Sequence, residues 1–179
     1  MSFRSTAVII LLLLARAWGI GCDRGPEAAP PREQAPVDPK ERELAALPVG
    51  MEVTHAPDPV RAQQGGRSGR KYTWLHGTTV KPTAGRLLVL EFGAFSWHDG
   101  RWVFNTITGK PFTTQDFEEW YSCPGAVLEP SRGYTDPDNY SCGDDLVAHK
   151  SKWYFIATNE KGERVKGEAV IEALPQVAP

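Results

Sequence analysis

Within a short span, Tyr134-Thr135-Asp136-Pro137-Asp138-Asn139-Tyr140-Ser141-Cys142-Gly143-Asp144-Asp145 gathers four carboxylates and an amide. Oxygen-rich clusters suit Ca²⁺, which takes six to eight oxygen ligands. The candidate ligand set is Tyr134, Asp136, Asp138, Asn139, Asp144 and Asp145. The spacing is not that of an EF-hand, because Tyr140 falls at the third ligand position and Gly143 comes too late. Asp-Pro and Asn also build turns through side-chain to backbone hydrogen bonds, and that use competes with calcium. Just beyond, Asp145 and His149 are four residues apart, so on one helical turn a carboxylate could orient a base. With Asp144 and a bound metal they would make a hydrolase acting on glycans or peptides. The chain contains no Gly-x-Ser-x-Gly elbow, no His-Glu-x-x-His and no phosphate-binding Gly loop.

The four histidines, His55, His76, His98 and His149, have no close ligand spacing, which leaves a zinc site unsupported. Glu118 and Glu119 are adjacent and would point about 100° apart on a helix, so they suit the positive end of its dipole rather than a catalytic acid pair.

These residues need elements to position them. Leu87 to Phe95 and Trp102 to Ile107 are rich in strand formers and flank Asp99-Gly100, the two-residue turn that favours a hairpin. Pairing His98 with Arg101 sets Trp97 opposite Trp102 and Phe95 opposite Phe104. Those four aromatics are core if covered, and a platform for sugar rings or another flat ligand if exposed. A second hairpin joins Trp153–Thr158 to Val165–Leu174 through Asn159-Glu160-Lys161-Gly162. Alternation of Tyr72, Trp74 and His76 predicts an opening strand. One helix begins at Thr113, with Phe112 and Phe117 spaced as a hydrophobic staple and Phe117, Trp120 and Tyr121 forming an apolar stripe. The expected fold is α+β, mainly β: a small antiparallel sheet of about five strands, with one helix packed on it and a stapled loop over Ser122–Lys150.

Composition divides the chain. The span from Lys71 to Leu174 holds five of six Trp, all five Tyr and six of seven Phe, and is the expected globular β-rich domain, residues 71–174. Residues 175–179 form a tail. From Asp23 to Arg70 there is no aromatic residue, and eight of fifteen prolines fall between Pro26 and Pro59. Such a composition predicts a disordered tether over residues 22–70. Asp38-Pro39-Lys40-Glu41 is a local exception, an acid cap with Pro at the first helical position leading into Leu44 and Leu47.

Ser2 to Arg4 form a short basic start carried by Arg4, Ala7 to Ala15 are an apolar run and Ala17 to Cys22 are mostly small, the layout of a signal peptide over residues 1–21. Ala15-Arg16-Ala17 has the small-x-small form that would release a chain starting at Trp18. Gly19-Ile20-Gly21-Cys22 resembles the lipobox of bacterial lipoproteins, and that resemblance implies a lipidated Cys22 as the first residue. Lipidating Cys22 leaves Cys123 and Cys142, which in an oxidising compartment are expected to form a disulfide worth about 3 kcal/mol. A net charge of -2 and a pI near 6.1 provide no basic footprint for nucleic acid.

These observations together predict an exported lipoprotein of the bacterial cell envelope, periplasmic or on the outer surface. Its lipid anchor would lie in the membrane, its small binding or structural domain would meet an envelope protein or glycan, and the hydrolase is the alternative.

Overall fold

The computed structural model describes residues 36–179, so both cleavage sites and Cys22 lie outside the described residues. The spine is three long strands: β4 (Leu87–His98), β9 (His149–Asn159) and β10 (Arg164–Val177). β9 pairs antiparallel with both neighbours, running from Leu87↔Asn159 to Ser96↔Ser151 on one side and from Arg164↔Thr158 to Ala173↔His149 on the other. Lys152 to Ala157 is buried on both faces, as a central strand must be. The turn closing the β9–β10 hairpin is held by the Asn159 side chain, which accepts from the backbone N–H of Lys161 and Glu163, while Gly162 supplies a φ of 79°. β5 (Arg101–Phe104) joins β4 in the register predicted from Asp99-Gly100, with Trp97 opposite Trp102 and Phe95 opposite Phe104.

The expected five-stranded antiparallel sheet is corrected by the structure. The described residues carry ten strands in one mixed sheet and two short helices. The tether expected over 22–70 is also different where it is described, because it contributes a helix and two strands. β1 (Met51–Ala56) and β2 (Val60–Gln64) pair antiparallel with β3 (Tyr72–Pro82), and β2 pairs parallel with β10 at Val60↔Ala173. Met51, Val53, Val60 and Ala62 alternate inward, so small aliphatic residues supply the core contacts there. Short strands β6 (Phe112–Thr113) and β7 (Val127–Leu128) add to β4.

The loop expected over Ser122–Lys150 contains a further strand, β8 (Tyr134–Gly143), antiparallel to β3. Its register shifts between His76 and Thr78, where Pro137 and Asp138 form a bulge. A bulge is one of the few places a sheet accepts proline. The Asp136 carboxylate accepts from the Asp138 N–H at 2.9 Å, so the expected Asx turn is present, built into a strand.

One core cluster includes Met51, Val80 and Tyr134 from the β1–β3–β8 side and Val89, Phe92 and Phe155 from the β4–β9 side. The sheet is therefore curled so that its two ends share an interior. Gly167 makes this crossing possible: a Cβ there would stand 2.7 Å from the Met51 Cβ, closer than two carbons can approach. α2 (Thr114–Trp120) is capped by Thr113 in a reciprocal box with Asp116, and buries Phe117 and Tyr121 in the same interior.

α1 (Pro39–Ala46) starts at the Asp38 cap and covers the outer face, where Leu44 packs with Phe95, Tyr154 and Ile156. Phe95, Trp102 and Phe104 are therefore largely core beneath α1, while Trp97 stays 42% exposed.

The expected disulfide is absent: among the described residues, Cys123 and Cys142 are free thiols. Cys123 is buried beside Tyr134 and donates to the Val127 carbonyl at 3.3 Å, and burial pushes its pKa up to about 11. Cys142 lies at the other end of β8, about 25 Å along the strand from Tyr134. A disulfide requires Cα atoms within about 7 Å.

Gly167→Val should lower the unfolding free energy by about 1 to 3 kcal/mol through overpacking against Met51. Val170→Ala, on the exposed face of the same strand, should change it by less than about 0.5 kcal/mol. Urea denaturation of both variants checks the crossing, and equal effects would contradict it.

Candidate ligand cleft

Strand alternation fixes which side chains share the concave face. On β4 and β9, Ala94 faces Trp153 and Ser96 faces Ser151 in register, with His98 and His149 beyond them. From the opposite side, β3 contributes Trp74 and β8 contributes Ser141, paired in register. These groups line a cavity of about 460 Å³. A second cavity of about 580 Å³ shares Ile107, Phe112, Tyr140 and Trp153 with the first, so the two form one cleft. Its mouth carries the Asn105–Ile107 segment, tied back by the Asn105 amide donating to Ser96 Oγ at 2.7 Å.

Trp74 is fixed by its indole N–H, which donates to the Leu174 carbonyl at 2.8 Å. The His149 ring packs edge-on to Trp74 at 4.6 Å. Its Nδ1 lies 3.1 Å from the Val147 carbonyl and its Nε2 lies 2.7 Å from Ser141 Oγ. A carbonyl can only accept, so Nδ1 carries the proton and Nε2 accepts from the Ser141 hydroxyl. Burial lowers the His149 pKa, which keeps the ring neutral near pH 7.

The predicted ligand residues are separated by the bulge in β8, which turns Asp138 to the face opposite Asp136, and by the end of that strand at Gly143. Tyr134 belongs to the core, and its hydroxyl accepts from the Glu129 N–H at 3.3 Å. Asp136 is buried at the second cavity, and desolvation raises its pKa. Asn139 is buried and donates to the Tyr121 hydroxyl at 3.3 Å. Asp138 points outward to an ion pair with Arg67 at 2.8 Å. Asp144 pairs with Arg70 at 2.7 Å, a contact that lowers its carboxyl pKa. Asp145 lies on the cleft rim. Among the described residues, no three His, Cys, Asp or Glu side chains are grouped to hold a metal ion. Asp145 and His149 do not share a helical turn, because His149 opens β9 and is bonded to Ser141 and Val147.

Sequence reasoning missed Trp74, Trp153 and Ser141 as cleft residues. The only local signal was the alternation that pointed Trp74 and His76 the same way; the partner of Ser141 depends on long-range pairing.

No protein-family model, curated protein or solved structure matches this chain. The functional reading therefore stands on the chemistry of the cleft.

The interior behind it holds a titratable pair. His76 is 3% exposed, lies edge-on to His55 at 5.2 Å, and its Nε2 has no hydrogen-bond partner among the described residues. The His55 Nδ1 meets Thr78 Oγ1 at 3.0 Å. Desolvation, with His55 alongside, lowers the His76 pKa to about 4, and burial also lowers that of His55.

A histidine near 6.5 when unfolded and about 4 when folded binds more protons in the unfolded state between those values. Stability should therefore fall as pH drops from about 6.5 to 4, by roughly 3 kcal/mol from His76 alone. Urea denaturation at several pH values measures this, and His76→Leu should flatten the slope. An unchanged slope in that variant would contradict the assignment.

Proposed function

We propose that this chain is an exported, membrane-anchored binding protein whose curled sheet holds a small amphipathic molecule. The observation that carries the reading is the cleft itself: Trp74, Trp153 and Phe112 supply apolar walls, and Ser96, Ser141 and Ser151 supply a few hydroxyls between them. Cavities of this size with mostly apolar walls and sparse polar groups suit drug-sized ligands. Arg70 at the rim is already paired with Asp144, which favours a flat or acyl-chain ligand with a neutral head. The hydrolase built on Asp144, Asp145 and His149 has less support, because Asp144 is held by Arg70 and by the Lys71 N–H.

Export and anchoring rest on the N-terminal pattern ending at Cys22. Pairing of the two remaining cysteines lends them no support, since both are free. No helix among the described residues is long and apolar enough to cross a membrane. The anchor in this proposal is therefore the lipid on Cys22.

Titration with the apolar dye N-phenyl-1-naphthylamine should raise its fluorescence and quench tryptophan emission with a micromolar Kd. Ser151→Phe, which fills the cleft from β9, should weaken binding at least tenfold without lowering the thermal midpoint by more than a few degrees. Binding that is absent, or unchanged in Ser151→Phe, would overturn the cleft as the site. In the same preparation from a host membrane, intact mass should show a chain beginning at Cys22 and carrying acyl groups, and a bare chain starting at Trp18 would overturn the anchor.

A further inference from the structure

The Ser141–His149 contact does more than line a wall. Ser141 Oγ is 2.7 Å from His149 Nε2, the ring is oriented through Nδ1 by the Val147 carbonyl at 3.1 Å, and the edge-on Trp74 contact at 4.6 Å fixes its plane. A hydroxyl, a neutral imidazole as acceptor and a third group that sets the tautomer make the arrangement of an activated serine. Here a backbone carbonyl stands where a carboxylate often does. Both side chains line the cavity, beside apolar walls that would hold the acyl part of a substrate and limit water.

We propose that Ser141 is a nucleophile that accepts an acyl group from a carboxylic ester bound in this cleft, with His149 as its base. Ser141 Oγ forms a bond to the ester carbonyl carbon as its proton passes to His149 Nε2. The tetrahedral species collapses by breaking the bond to the alkoxy oxygen, and the imidazolium returns that proton to the departing alcohol. Water, deprotonated by the same nitrogen, then releases the carboxylic acid and restores the Ser141 hydroxyl. No oxidant, reductant or metal enters the balance. The proposal rests on the cleft being the ligand site.

The test uses the full chain with diisopropyl fluorophosphate, a probe that discriminates against the nearby free thiol of Cys142. Intact mass and peptide mapping should place one phosphoryl group on Ser141. Ser141→Ala should lose the adduct, and His149→Gln should slow labelling by at least about 100-fold, the scale of a general base. On the unmodified chain the labelling rate should fall as acid protonates His149, with a midpoint below 6.5. That profile keeps the proposal testable if either variant fails to fold.

N-phenyl-1-naphthylamine binding is measured in parallel. Dye binding with no adduct on Ser141, or with equal labelling in a folded His149→Gln, overturns the nucleophile and leaves the binding site standing. Failure of dye binding in the unmodified chain overturns the site on which the nucleophile depends.

Discussion

One ring organises the interior. Phe92 on β4 is fully buried and touches five other aromatics: Phe155 stacked at 5.6 Å, and Phe112, Phe117, Trp120 and Tyr121 tilted or edge-on between 5.1 and 5.8 Å. Each such pair contributes about 0.5 to 1.5 kcal/mol beyond its buried area. Through these contacts β4, β6, β9 and α2 become one body. Phe112 and Trp120 then face the cleft from their other sides, so the wall that would meet a ligand is set by the same packing that holds the sheet. Small-to-large rearrangement anywhere in this stack would change the cleft as well as the core.

The outer face is held by a different device. Lys152 points away from the interior, pairs with Glu41 of α1 and with Glu168 of β10, and lies 5.1 Å from the ring centres of both Phe95 and Trp102. Lys40 adds a bridge from α1 to Glu91 on β4 at 2.7 Å. Buried charge costs desolvation unless it is paired, and here two carboxylates and two aromatic faces share one ammonium. The result fixes where α1 sits over Phe95, Tyr154 and Ile156, and so fixes one face of the strand whose other face lines the cleft.

What was legible in the sequence was local. Asp99-Gly100 set the register of Trp97 and Trp102 because a two-residue turn leaves no freedom in pairing, and Thr113 with Asp116 marked the start of α2 because capping is a contact between near neighbours. The rest depended on pairing across long sequence separations. β1 and β2 carry Met51, Val53, Val60 and Ala62 without an aromatic, so their composition resembled a tether until β3 and β10 provided partners. β8 was hidden by Asp136-Pro137-Asp138, turn formers that the sheet absorbs in a bulge. The cluster of acids dispersed at the same bulge, which breaks the period of two and turns Asp138 away from Asp136, while Asp144 and Asp145 lie beyond the strand's end. Ser141 and His149 meet only because β8 returns beside β3 while β9 lies across the interior.

The central claim is that β1, β2 and β8 complete the curled sheet and so create the cleft. Amide hydrogen exchange of the full chain, resolved by peptide, tests it most directly. Met51–Ala56, Val60–Gln64 and Tyr134–Gly143 should be protected to within about tenfold of His149–Asn159. Free exchange across residues 51–64 and 134–143 with β9 still protected would mean that the sheet stays open and the cleft has no second wall.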